Sequence, residues 1–171
     1  EIAFILDRSG SMGAHVDAAI GGFNDFLAEQ QQVEGLARLT LVLFDDVLKI
    51  PFDNIPLCEV VPLDTRTYTT PNTTALIDAI GLTIESFEKR IHAQPKTSRP
   101  TQVVFAIFTD GLENASSRYT WKDLAAKIKE RQEKDGWQFL FLGANQDAIA
   151  TAAQMNIHAY NAATASYSDK G

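Results

Sequence analysis

A chain of 171 residues, 45% apolar and 22% charged, has the size of one ordinary domain and too much apolar side chain for a disordered polymer. Its net charge of −7 disfavours nonspecific attachment to nucleic acid phosphates, and no apolar run approaches the ~20 residues of a membrane helix. The single cysteine, Cys58, excludes an internal disulfide and agrees with a reducing, cytoplasmic setting.

In chain order, Ile2–Leu6 is a continuous apolar run, the pattern of a strand buried on both faces. Because the chain begins at Glu1, inside this expected strand and without an initiating Met, the lack of a secretory segment carries little weight. Val16, Ile20, Phe23 and Leu27 recur at helical spacing, so the sequence predicts a helix over 15–32 with Gln30-Gln31-Gln32 as its wet end. Leu39–Phe44 is a second apolar strand, and Asp45-Asp46 fits a tight turn into a third over Val47–Phe52. Pro51 and Pro56 suit an edge strand, where a missing amide costs little. Pro56-Leu57-Cys58-Glu59-Val60 reads as packed strand and offers no nucleophile.

The polar loop Thr69-Thr70-Pro71-Asn72-Thr73-Thr74 precedes a second helix, marked by Leu76, Ile80, Ile84, Phe87 and Ile91. Val103–Phe108 is another apolar strand, ending in Thr109-Asp110-Gly111. Thr120-Trp121-Lys122-Asp123 has the form of a capping box for a third helix through Leu124, Ala125 and Ile128. Phe139–Leu142 is a strand, Asp147–Met155 a short helix and Ile157–Tyr160 a last strand, with a loose tail from about 161. Alternation of buried strands and helices implies a single α/β domain over 1–171. It is a three-layer, Rossmann-like, doubly wound sheet, mostly parallel with one antiparallel edge strand and helices on both faces.

Ligands of such sheets sit beyond the carboxyl ends of the strands, where the strand order reverses. Two polar clusters, Asp7-Arg8-Ser9-Gly10-Ser11 and Thr109-Asp110-Gly111, lie just beyond such ends. Unrelated turns would have no reason to share chemistry; two halves of one site would. Asp7, Ser9, Ser11, Thr74 and Asp110 supply only oxygen, the donor that hard divalent cations take, and Gly10 permits a close bend between the serines.

These three elements resemble the metal-ion-dependent adhesion site of von Willebrand factor type A domains. Asp7-Arg8-Ser9-Gly10-Ser11 matches the family's Asp-x-Ser-x-Ser in full, and Thr109-Asp110-Gly111 matches its third element. Asn72-Thr73-Thr74-Ala75-Leu76 resembles the second, Gly-Gly-Thr-x-Leu, without its two glycines. Thr74 rather than Thr73 is the counterpart, because it lies two before Leu76, which begins the apolar face. The resemblance implies that Ser9, Ser11 and Thr74 coordinate a divalent cation, Mg²⁺ first with Mn²⁺ or Ca²⁺ as alternatives. It implies that Asp7 and Asp110 hold the ion through water, and that one coordination position is left for an Asp or Glu of a partner protein. Such a site docks and does not catalyse.

Competing readings are weaker. A phosphotransferase of the haloacid dehalogenase type needs a second acid two residues after Asp7, where Ser9 stands. There is no Gly-x-Ser-x-Gly elbow for a serine hydrolase and no Gly-rich phosphate loop. A metal-independent structural subunit is the remaining alternative. Arg8 reads as solvated, or as a rim residue pairing with an incoming carboxylate. Glu113 and Asn114 read as loop residues, His15 as a helix surface position, and His92 and His158 form no zinc spacing. Trp121, Trp137, Phe23, Phe26 and Phe87 read as core. The excess of bases over 84–135 reads as a solvated helix face.

Overall fold

The computed structural model describes residues 1–8, 16–45, 48–64, 75–109, 116–143, 150, 152–153, 155, 157 and 162–164. The elements are β1 (Ile2–Asp7), α1 (Val16–Gln31), β2 (Arg38–Phe44), β3 (Leu48–Pro56), α2 (Leu76–His92), β4 (Val104–Thr109), α3 (Trp121–Asp135), β5 (Gln138–Gly143) and β6 (Ala162–Thr164). They form one sheet in the order β3-β2-β1-β4-β5-β6. All neighbours pair parallel except β3, which runs antiparallel to β2 at one edge. An edge strand has unused amide positions, so Pro51 and Pro56 are accommodated in β3.

Side-chain alternation along the strands sorts the core into two layers. Ile2, Phe4 and Leu6 pack with Leu39, Leu41, Leu43 and Phe108 beneath Ala19, Phe23 and Leu27 of α1. Ala3 and Ile5 pack with Val42, Phe44, Phe105 and Ile107 beneath α2 and α3 on the other side. Every residue of β1 is buried, which explains its unbroken apolar run. Phe105 stacks on Trp137 with ring centroids 5.5 Å apart and meets Phe87 edge-on at 5.0 Å. Each fully buried Phe contributes roughly 1.5–3 kcal/mol of transfer free energy, so this aromatic group anchors the α2 layer.

The sequence-predicted boundaries agree within a residue or two for β1, α1, β2 and β5. The predicted capping box of α3 is present: Thr120 Oγ1 accepts from the Asp123 N–H, and the Asp123 carboxylate accepts from the Thr120 N–H. Gly136, at φ 66°, ends that helix in the left-handed region.

Three expectations differ. Cys58 is not in a packed strand: Leu57–Glu59 is a 3₁₀ turn that buries Leu57 and exposes the cysteine. The turn is fastened to α1, because Gln31 Nε2 donates to the carbonyls of Leu57 and Val60, so the glutamine run is not simply a wet end. Ala162–Thr164 is a strand inside the expected loose tail, and of the expected strand Ile157–Tyr160 only Ile157 is among the described residues. Ile157 is a core residue outside any strand, with its amide bonded to the Ala152 carbonyl. Of the expected fourth helix, Ala150, Ala152 and Ala153 are helical. No helix among the described residues is long and apolar enough to cross a membrane.

Candidate metal centre

The strand order reverses between β1 and β4: the chain lays β2 and β3 on one side of β1, then crosses to build β4, β5 and β6 on the other. Asp7 is the last residue of β1 and Thr109 the last of β4, and both are fully buried. Their odd positions put both side chains on the α2/α3 face of the sheet. Thr109 Oγ1 donates to Asp7 Oδ2 at 2.7 Å, tying the two strand ends together across the switch point. A carboxylate stripped of water is costly unless charge and hydrogen bonds compensate it, so Asp7 marks this end as a place built for charge.

Ser9, Ser11, Thr74 and Asp110 lie outside the described residues, as do Gly10, His15, Asp46, Thr73, Glu113, Asn114 and His158. Their described chain neighbours are nonetheless joined. Arg8, which precedes Ser9, is buried, whereas the sequence alone suggested a solvated side chain. Its Nη2 lies 3.3 Å from Asp45 Oδ2, with both side chains under 10% exposed. Its amide donates to the Phe44 carbonyl at 2.8 Å. Nor is it a rim residue, because the guanidinium is committed to Asp45. Ala75, which follows Thr74, donates its amide to the Asp45 carbonyl at 2.7 Å and stands at the N-cap of α2. Thr109, which precedes Asp110, is bonded to Asp7. The flanks of all three sequence elements therefore meet in one network at the carboxyl edge of the sheet.

Sequence reasoning missed Asp78. It sits in the first turn of α2, buried, and its carboxylate accepts the amides of Ser117, Arg118 and Tyr119 at 2.7–3.2 Å. The signal was present as an acid inside Ile77-Asp78-Ala79-Ile80, on a helix turn otherwise buried and apolar. Asp45 stands in the sequence only as a turn former, and nothing in the sequence singles out Asn24. In the structure Asn24 bonds both the amide and the carbonyl of Leu63, the residue before Asp64 and the second loop.

The chemistry available here suits a hard cation. Asp7 is buried at the strand end, and Arg8, the next residue, is paired with the buried Asp45. The remaining candidates bring hydroxyl and carboxylate oxygen and no nitrogen or sulfur, the donor set of Mg²⁺, Mn²⁺ or Ca²⁺. Among the described residues alone no group of three or more His, Cys, Asp or Glu gathers to hold a metal, so any such site needs the loop oxygens as well.

No family model and no curated protein matches the sequence. Solved structures do match. Proximal thread matrix protein 1 from the mussel byssus superposes with a TM-score of 0.62 at 16% identity, over 95% of this chain and 40% of that one. The same mussel protein with a zinc-occupied MIDAS motif gives 0.59 at 15% identity over 96% and 41%. Manganese-loaded TRAP protein of Plasmodium vivax gives 0.57 at 16% identity over 85% and 57%. A von Willebrand factor type A protein from Catenulispora acidiphila gives 0.52 at 14% identity over 83% and 32%. The chain has the von Willebrand factor type A fold. It spans about 40% of the length of the mussel chains, and at these identities the likeness is one of fold.

Proposed function

We propose that this von Willebrand factor type A-like domain binds a divalent cation at the carboxyl edge of its sheet and uses it to capture an acidic side chain of a partner protein. The observation that carries the reading is the fully buried Asp7 held to Thr109, with Asp110 next in sequence, at the β1/β4 switch point. Ser9, Ser11 and Thr74 would hold the ion through hydroxyls, and Asp7 and Asp110 through water. When bound, the ion supplies Lewis acidity toward an incoming Asp or Glu. The chain's own residues hold the two strand ends together, Thr109 donating to Asp7. Zinc in the mussel MIDAS motif and manganese in the Plasmodium protein support a divalent cation in this fold. Mg²⁺ is the expected occupant because hydroxyls and few direct carboxylates suit a hard ion that keeps its waters. No catalytic step is assigned, since Ser9 stands where a phosphotransferase needs its second acid. The proposal sets the module in the cytoplasm, on the strength of a lone cysteine, and cell fractionation tests that part.

Thermal melts in EDTA and in Mg²⁺ or Mn²⁺ test the central claim. A ligand of the native state present at a hundred times its Kd stabilises by about 2.7 kcal/mol, roughly a 5–10 °C rise in Tm for a domain of this size. Ser9→Ala should abolish the rise and, with it, any metal-dependent recovery of a protein partner in a pull-down. Absence of a shift with either ion in the wild-type protein would defeat the metal reading and favour a structural subunit. Turnover of a generic phosphatase substrate, lost in Ser9→Ala, would defeat the non-catalytic one.

A further inference from the structure

Asp78, four residues after Thr74 in the chain, is a buried acid whose lone pairs are already taken. Oδ1 accepts the amides of Arg118 at 3.0 Å and Tyr119 at 2.9 Å; Oδ2 accepts those of Ser117 at 2.7 Å and Arg118 at 3.2 Å. A carboxylate has about four acceptor sites, so this one has none to spare for a cation. The grip is reciprocal, because the Asp78 amide donates to Ser116 Oγ at 3.0 Å. That bond also satisfies one of the orphan amides in the first turn of α2, whose N-cap, Ala75, offers no side-chain acceptor.

The same stripe of α2 continues the seating. Gly81, three residues on, lets the Tyr119 ring lie so close that a Cβ would stand 2.6 Å from it. These contacts are not needed to start α3, which carries its own capping box at Thr120 and Asp123. They fix Ser116–Tyr119 itself. Ser116–Tyr119 is the last part of the connection from β4 to α3, and Asp110 lies in that connection. Its other end, Thr109, is pinned to Asp7. The connection is thus held at both ends, once by the strand beside it and once by α2, the helix that begins just after Thr74.

We infer that Asp78 is a positioning residue for the metal site: it sets cation affinity by fixing the far end of the connection that carries Asp110, without touching the ion. This rests on the metal reading above. Mn²⁺ titrations followed by the EPR signal of free Mn²⁺ test it on the wild type, Asp78→Asn, Ser116→Ala and Leu27→Ala. The last destabilises the opposite core layer and controls for general loss of stability. Asp78→Asn puts an amide NH₂ against backbone N–H donors and is expected to raise Kd at least tenfold. Ser116→Ala keeps the Asp78 charge and is expected to raise it at least threefold; Leu27→Ala should stay within twofold. If Asp78→Asn does not fold, the Ser116→Ala value decides alone. Wild-type binding with Asp78→Asn and Ser116→Ala both within twofold overturns the inference, as does an equal loss in Leu27→Ala. A wild type that leaves all Mn²⁺ free instead overturns the metal reading, and the inference goes with it.

Discussion

Replacing Arg8 by Met tests whether the second residue of the Asp-x-Ser-x-Ser element is a structural cation. Arg8 and Asp45 are 3.3 Å apart, and their side chains retain 7% and 4% of their exposure. At an effective dielectric near 20 the attraction between unit charges at that distance is about 5 kcal/mol. Desolvation of two ions costs several kcal/mol each, so the intact pair contributes little net stability. Breaking it is another matter, because Arg8→Met leaves the Asp45 carboxylate buried beside a thioether, and removal of one partner of a buried pair costs about 3–5 kcal/mol. In Arg8→Met/Asp45→Asn both charges are gone and most of that loss should return. Among the described residues Arg8 Nε is a buried donor without a partner, which removes one argument for keeping the guanidinium on stability grounds alone. Urea unfolding of the wild type, both single variants and the double variant gives the coupling energy, expected at 2 kcal/mol or more. Because the pair is buried, raising the salt concentration should change that coupling little. A single-variant loss below about 1 kcal/mol with no coupling would mean that Arg8 faces solvent, and the reasoning would be refuted.

Three further outcomes follow from packing and charge. Gly81→Ala gains about 1 kcal/mol in helix propensity but drives a methyl into the Tyr119 ring, down to its Cγ at 2.9 Å; overpacking of about 1–3 kcal/mol should win. Urea unfolding should therefore show net destabilisation, and stabilisation by the full propensity gain would show that the ring is not seated there. Thr109→Val keeps the shape of β4's last residue and removes the donor to Asp7, so stability should fall by about 1–3 kcal/mol in the same assay; a loss under about 0.5 kcal/mol would exclude that bond. Burial, with the Glu85 hydrogen bond second, raises the Tyr119 phenol from 10.0 to about 12. Its contribution is whole below pH 10 and is lost as the pH climbs through 12, because the unfolded chain ionises first. Absorbance titration should show the last of the four tyrosines ionising late, and that late step should vanish in Tyr119→Phe.

Local signals carried the architecture. Strands buried on both faces have no polar alternation, so Ile2–Leu6, Leu39–Phe44 and Val103–Phe108 stood out as apolar runs, and the parallel sheet followed from their alternation with helices. Pro51 and Pro56 marked the edge strand, and Thr120 and Asp123 marked the start of α3. What escaped has its cause elsewhere in the chain. Ala162–Thr164 is a strand because β5 offers it a free edge, not because of its own residues. Leu57–Glu59 turns because Gln31 holds its carbonyl, 26 positions away. Asp78 looks like an ordinary first-turn acid of a helix, which the helix dipole alone would explain, until the amides of Ser117–Tyr119 are seen to converge on it.

The pairing of Arg8 with Asp45 also bears on function, because a guanidinium within an expected cation site should oppose the cation. Asp45 offsets it, and so the acid that sequence reading took for a turn former becomes a condition for binding. The two substitutions should therefore act in opposite senses on affinity even though both destabilise the fold. Asp45→Asn leaves an uncompensated positive charge one residue from Asp7 and Ser9. Opposition between a full charge and a divalent ion across a solvated gap is on the order of 1 kcal/mol, about fivefold in Kd. Arg8→Met removes the positive charge while the Asp45 carboxylate stays, so Mn²⁺ should bind at least as tightly as to the wild type, and more so at low salt, where screening is weak. The same Mn²⁺ titration at two ionic strengths reads both effects. Equal affinity in Asp45→Asn and wild type, or weaker binding in Arg8→Met, would show that the pair secures β1 to β2 and leaves the charge at the centre unaffected.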